Sequence, residues 1–321
     1  MPIPVFAPGW TPRHDCAVIV ACDGNYLPYA SVLALQLAAR APACDILIGS
    51  PEPLELPHVL SAANIGHVAA RLPLVEDALP LDGRRSLAAY MSVFLASALG
   101  GVYRRILVLD ADILYERGDP ARLMAADMGG RAVAAVRDNR QWRNPAKRVP
   151  DFRRLGWSAA PYFNSGVVMI DLAAWTAQDL SARCAGFARQ HLKGLGRDQA
   201  LLNGTLHGEW AEISPQWNWQ FTWASSHLAG MAEPCMVHFI GPTKPWLDRS
   251  AGIVPMRWRA PYGAFLAEHF PAAPRPAQAD RCYWPTRRQL GRSLFRQWRA
   301  AGRMLDYLGR FDDEYTLVDP R

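Results

Sequence analysis

Apolar and polar positions follow two alternating periods through the first half of the chain. Short β-branched runs read as strands: AVIVA (17–21), DILIGS (45–50), GHVAA (66–70), RILVLD (105–110) and AVAAVRD (132–138). Between them, 27–40 and 85–99 carry a helical pattern. Apolar strands alternating with helices predict βαβ units and a mostly parallel sheet buried on both faces. Ligands of such sheets bind beyond the carboxyl ends of the strands, so the polar residues that follow the runs are the first candidates: Asp23, Asn25, Asp110, Asp112 and Asp138. FNSGVVMIDL (163–172) predicts a further strand and 172–192 a helix, after which PQWNWQFTW (215–223) turns aromatic. The segment from Pro271 to Pro276 predicts a linker.

Toward the end, Leu290, Leu294, Trp298, Ala301, Leu305 and Leu308 recur at spacings of 4, 4, 3, 4 and 3. Arg288, Arg292, Arg296, Arg299 and Arg303 recur half a turn away. One helix over 287–308, apolar on one face and basic on the other, is expected, suited to the interface of an anionic membrane with help from Phe295 and Trp298. The same pattern also fits a helix packed on its own body or on a partner.

Charge sharpens this picture. The 321 residues carry a formal +6, but 281–310 holds eight arginines and one acid, a net of +7, which leaves the remainder at −1. The basicity belongs to the tail, so no nucleic-acid partner is expected. Half the residues are hydrophobic and a fifth charged, enough apolar surface for a core, while no apolar run approaches the roughly 18 residues needed to span a bilayer. MPIPVFAPGW lacks the basic and apolar regions of a secretory signal, which places the expected site of action in the cytoplasm, peripheral on the inner face of the membrane. The six cysteines show no metal-ligand spacing and read as reduced thiols.

The sharpest chemical signal is ILVLDADIL (106–114), where an apolar strand runs into two acids one residue apart. Carboxylates at i and i+2 of an extended segment point the same way and repel unless a divalent cation shares them, and hard oxygen donors suit Mg²⁺ or Mn²⁺. Aspartate is also a common turn former, so both readings stand for the pair alone. The second signal is VHFIGPTKPW (237–246). His238 can add a nitrogen ligand, and the turn at Gly241 and Pro242 can aim the Lys244 ammonium at a diphosphate; each alone is equally a core histidine or a solvated lysine.

Together, ACDGNY after the first strand, Asp-x-Asp, FNSGV, DQALLN and His-x-x-Gly-Pro-x-Lys-Pro-Trp resemble glycosyltransferase family 8, most closely its bacterial lipopolysaccharide α-galactosyltransferases and glucosyltransferases. The resemblance runs from about residue 15 to 250. It implies an α/β GT-A fold in a single domain over 1–272, followed by the linker and basic tail over 273–321. It also implies retaining transfer of a hexose from a UDP-sugar to a glycan or glycolipid acceptor with Mn²⁺, or Mg²⁺, as cofactor. By similarity, Asp110, Asp112 and His238 match the metal ligands. Ala21, Asp23, Asn25 and Tyr26 match the uridine loop; Asp110 and Ala111, with Gly241 and Lys244, match further nucleotide and diphosphate contacts. Asp138, Asn164, Asp198 and Gln199 match the surroundings of the donor sugar and the reacting carbon.

Bland roles remain for these residues. Asn25 and Asn164 are also turn formers, Asp198 a helix-terminal acid, Asp138 a surface partner for Arg137 or Arg140, and Tyr26, Trp217, Trp219 and Trp223 packing aromatics. Two positions depart from the family pattern: Gly24 stands where many members have an acid, and Ser92 where a cation usually helps hold the leaving diphosphate, with Arg84 or Arg85 as nearby substitutes. Because Gln199 is a poor nucleophile, attack on the same face with a UDP phosphate oxygen as base is expected rather than a covalent intermediate. The alternatives are a catalytically weak UDP-sugar-binding scaffold and a haloacid dehalogenase-like phosphatase, whose Asp-x-Asp lies on the first strand.

Overall fold

The computed structural model describes residues 4–41, 43–79, 86–192, 195, 198–222, 232–247, 254–276 and 286–321. The predicted strands form as β2 (Cys16–Ala21), β3 (Asp45–Ser50), β4 (Gly66–Ala69), β5 (Arg105–Asp110), β7 (Val133–Arg137) and β8 (Phe163–Asp171), and two short strands the pattern did not predict, β1 (Val5–Phe6) and β6 (Ile113–Tyr115), join them. Short later strands follow: β9 (Ala211–Ile213), β10 (Trp219–Gln220), β11 (Met236–His238) and β12 (Leu317–Val318). Among the described residues, a nine-stranded sheet runs β1-β4-β3-β2-β5-β8-β7-β9-β12, and β10-β11-β6 form a second, three-stranded sheet.

The expected parallel arrangement holds for β4, β3, β2 and β5 and for β7 with β9. The sheet is mixed, however, because β8 lies antiparallel between β5 and β7. The amino end of β8 therefore reaches the edge where β5 and β7 end. Its register slips between Ala135 and Val136, so Asn164 faces Val136 while Val168 faces Ala135, and Ser165, Gly166 and Val167 bulge at the site edge. Asn203 anchors that end: its amide accepts from Phe163 N (2.8 Å) and donates to Phe163 O (2.9 Å).

Two predicted helices differ in detail. The stretch 85–99 begins as a 3₁₀ turn, Leu87–Tyr90, capped by Ser86, before the helix Met91–Ala98. The stretch 172–192 breaks into Leu172–Ala177 and Leu180–Phe187 with a π-helical turn, Ala188–Leu192, because Asp179 takes a left-handed φ of 48°. Leu27–Ala38 and Arg287–Leu308 form as predicted, the latter with a Thr286–Gln289 capping box.

The segment assigned to a tail returns to the body. Ser293, Gln297, Ala300, Met304 and Tyr307 form the buried face of its helix, and β12 adds an edge strand beside β9. A buried ionic knot fastens it. Glu212 on β9 accepts from Arg137 Nε and Nη2 (2.8 and 2.7 Å), the Tyr307 hydroxyl (2.8 Å) and Arg310 (2.8 Å). Leu290, Leu294, Phe295, Trp298 and Leu305 remain exposed, Trp298 by 74%.

His67 on β4 is buried beside the Ser50 hydroxyl (2.7 Å), and burial depresses its imidazole from the ordinary 6.5 to about 4. A folded value below the unfolded one favours the neutral form. Its stabilising share is therefore complete above pH 6.5 and lost as pH falls toward 4, at most about 3 kcal/mol. His67→Gln should flatten that part of the acid limb in urea titrations run across this pH range.

Candidate functional site

β5 delivers Asp110 at its carboxyl end, and Asp112 follows after Ala111, before the chain enters β6. β11 pairs antiparallel with β6, His238 opposite Ile113, which brings the imidazole back to the acids across 128 residues of sequence. His238 Nε2 lies 3.0 Å from Asp112 Oδ1 and 3.7 Å from Asp110 Oδ2, and one ligand atom from each of the three residues falls within 4.8 Å of the others. After β11, Gly241 adopts a φ of 91°, open to glycine at little cost. The turn carries Lys244 back, where its ammonium donates to Asp112 Oδ2 and to Phe239 O.

Electrostatics follow from this crowding. Burial alone would raise the Asp112 carboxyl, but His238 and Lys244 hold it below the usual carboxylate range. Burial opposes charge on His238, yet Asp112 and Asp110 raise its pKa above the ordinary 6.5. Asp112 Oδ1 is buried, faces His238 Nε2 at 3.0 Å and, among the described residues, takes no other hydrogen bond. Two carboxylates and an imidazole fit a divalent cation with hard donors, which would come between the carboxylate oxygens and the ring nitrogen that face one another here.

Beside these acids opens a cleft of about 200 Å³ lined by Ala21, Asp23, Tyr26, Asp110, Ala111 and Asp112, together with Ser86, Ala88 and Ala89, which the sequence reading did not single out. Asp23 Oδ1 accepts from Asn25 N (3.0 Å) and Tyr26 N (3.1 Å), so it builds the turn as well as edging the cleft. Asn25 is exposed, and Tyr26 stands edge-on to Trp246 at 6.2 Å. Trp217 and Trp219 are fully buried packing residues. Ser92 is buried in its helix. Arg84, Arg85 and Trp223 lie outside the described residues.

The donor-sugar candidates meet on the far side of the ion cluster. Asp138 is buried, not a surface residue: Arg140 grips its carboxylate through two side-chain bonds (2.7 and 3.0 Å), while Arg137 turns away to Glu212. Gln199 Nε2 donates to Asp138 Oδ2 (2.9 Å), and Asn164 Nδ2 to Gln199 Oε1 (3.3 Å). Asp198 opens the helix Asp198–Leu206, with its side chain outside what is described. Asn218, fully buried and absent from the sequence candidates, closes the set: its Nδ2 donates to Asn164 Oδ1 (2.8 Å), and its Oδ1 lies 3.0 Å from His238 Nδ1. Its signal was the polar alternation of Asn218 and Gln220 inside an aromatic run. Gly166 in FNSG has a steric reason, since a Cβ there would overlap the His238 ring.

The architecture defines a mixed α/β protein whose candidate site, an acid pair with a histidine beside it, lies at the carboxyl ends of the strands. Residues 17–250 match the family model for glycosyl transferase family 8, and the chain belongs to that family. General stress protein A of Bacillus subtilis is 31% identical over 160 residues, 44% of this chain and 53% of the relative. Lipopolysaccharide 1,2-glucosyltransferase of Escherichia coli is 29% identical over 181 residues, 52% of each chain. The chain thus spans about half the length of the curated relatives it matches. The crystal structure of the galactosyltransferase LgtC in complex with donor and acceptor sugar analogs superposes with a TM-score of 0.58 at 22% identity, covering 76% of this chain and 99% of that one, which shows the shared GT-A fold. Family membership leaves the phosphatase alternative without support.

Gly166→Ala should cost about 1–3 kcal/mol through overpacking against His238 and weaken Mn²⁺ binding. Urea denaturation and electron paramagnetic resonance of free Mn²⁺ check the two effects separately.

Proposed function

We propose that the protein is a metal-dependent, retaining hexosyltransferase that moves galactose or glucose from a UDP-sugar to a glycan acceptor, lipopolysaccharide or another lipid-linked surface glycan. The observation that carries this reading is the meeting of Asp110, Asp112 and His238 at the mouth of a cleft lined by the loop after the first strand, in a family 8 chain. Relatives named for lipopolysaccharide glucosyl- and galactosyl-transfer support the substrate class.

In this reading Asp110, Asp112 and His238 hold the ion, which when bound neutralises the diphosphate leaving group. Tyr26 and Asp23 flank the uracil, with Ala21, Asn25 and Ala111 shaping its loop. Gly241 lets the backbone approach the diphosphate while Lys244 turns its ammonium from Asp112 to the phosphates. Gln199 and Asn164 present amides to the donor sugar, and Asp138, held by Arg140, accepts from its hydroxyls beside Asp198. Positive charge then develops on the anomeric carbon against this preorganised field, and the acceptor hydroxyl attacks the face that UDP leaves, giving up its proton to a phosphate oxygen.

A scaffold with weak or no turnover is the second reading, favoured by Ser92, which is buried where a cation is expected. UDP release from a panel of UDP-sugars, with and without Mn²⁺ and with a glycan acceptor, separates the two. Metal-dependent release from one donor is expected, with a fall of at least a hundredfold in Asp110→Asn. Tight UDP binding without release from any donor would favour the scaffold.

The exposed apolar ridge of 287–308, flanked by arginines, is proposed to seat the enzyme on an anionic inner leaflet near its acceptor, with residues 273–321 as the membrane-association segment. Deleting the segment would strip Tyr307 and Arg310 from Glu212, so point changes are the cleaner test. Leu294→Gln, Trp298→Gln and Leu305→Gln together should weaken sedimentation with anionic vesicles by at least about tenfold. Turnover of a soluble acceptor should stay unchanged.

A further inference from the structure

Three side-chain amides link the ion cluster to Asp138, and their orientation is dictated independently at two points. At one end the Asp138 carboxylate only accepts, so Gln199 must present its NH₂ there (2.9 Å), which turns Oε1 toward Asn164 (3.3 Å). In the middle, the Gly166 backbone N–H, which only donates, takes Asn164 Oδ1 (3.1 Å) and so leaves the Asn164 NH₂ facing Gln199. Both constraints give Asn164 the same orientation. Asn218 must then offer NH₂ to Asn164 Oδ1 (2.8 Å), and its own Oδ1 is left facing His238 Nδ1 at 3.0 Å. An amide oxygen accepts and cannot donate, so the proton between them belongs to the imidazole.

We infer that Asn218 is a positioning residue: it fixes neutral His238 in the Nδ1–H form and so aims the Nε2 lone pair at the carboxylates of Asp110 and Asp112. A metal-ligating histidine needs its second nitrogen held in this way, and this chain does it with an amide tied through two others to Asp138. The backbone supports the assignment. Asn218 and Gln220 alternate across Trp219, and Gln220 pairs in register with His238. Gln220 Nε2 donates to Arg137 O (2.9 Å) and its Oε1 accepts from Asn139 N (2.9 Å), so one short segment aligns both the histidine and the loop bearing Asp138. The inference rests on the ion-site reading for its consequence, but the tautomer is defined without a metal.

The full chain, labelled with ¹⁵N-histidine and free of metal, is followed by long-range ¹H–¹⁵N correlation as the pH is raised until the His238 ring shows the signals of a neutral imidazole, above the ordinary range because Asp112 and Asp110 raise its pKa. His238 is assigned by the signal lost in His238→Gln. The Nδ1–H form is expected for the unmodified chain, and an Nε2–H form overturns the inference without any variant at position 218. Asn218→Leu, branched alike but with neither acceptor nor donor, should release the tautomer and lower Mn²⁺ affinity about 10- to 100-fold, read by electron paramagnetic resonance. Asn218→Asp keeps the acceptor toward Nδ1 but gives up the donor to Asn164, so it should hold the tautomer and lose less Mn²⁺ affinity than Asn218→Leu. Equal losses of Mn²⁺ affinity in both variants with an unchanged His238 tautomer would make Asn218 a packing residue and overturn the inference. An unmodified chain that shows the Nδ1–H form yet binds no Mn²⁺ overturns the ion-site reading and not the tautomer assignment.

Discussion

Two like charges at the end of a buried apolar strand set the constraint around which this molecule is arranged. Asp110 and Asp112 leave β5 side by side, and within a protein such a pair is unfavourable unless positive charge and donors converge on it. The small β10-β11-β6 sheet performs that convergence by laying His238 against Ile113, and the Gly241 turn adds Lys244. The bare glycine at 166 makes room for the ring, and the amides of Asn218, Asn164 and Gln199 extend the ordered polarity to Asp138. Removing any one of these parts leaves a buried polar group without its partner, which costs more than the contact itself contributes.

A second buried charge governs the other flank. Glu212 is fully buried among Arg137, Tyr307 and Arg310, and it joins β7, the strand that leads into Asp138, to the last turns of the chain. Buried ion groups of this kind add little net stability over apolar packing, but breaking one partner is strongly destabilising. The knot therefore specifies where the C-terminal segment docks and ties the helix that exposes Trp298 to the strand that presents Asp138. Trp142, stacked on Tyr307 at 6.0 Å, continues the same link.

Much of this was legible in the chain itself. The inner strands, the helices at 27–38 and 287–308 and the identity of the acids all follow from local pattern, because periodicity and strand-end chemistry are properties of neighbouring residues. Strands of two or three residues, such as β10, β11 and β12, carry too little periodicity to be seen. The break at Asp179 has no glycine or proline to announce it. Asn218 was hidden among its tryptophan neighbours, where Trp217 and Trp219 pack as an aromatic run suggests.

Sequence by itself determined the chemistry on offer: an acid pair at a strand mouth, a late histidine and lysine, and the motifs of family 8. It also determined which helix would be both apolar and basic. Tertiary structure alone decided which atoms meet. The antiparallel insertion of β8 put Asn164 and Gly166 at the site, the packed face of the C-terminal helix turned its leucines and Trp298 outward, and Asp138 was drawn inside by Arg140 and Gln199. The physical reason is that these outcomes depend on strand direction, register and burial, which are settled mostly between segments far apart along the chain, while sequence pattern speaks only of neighbours.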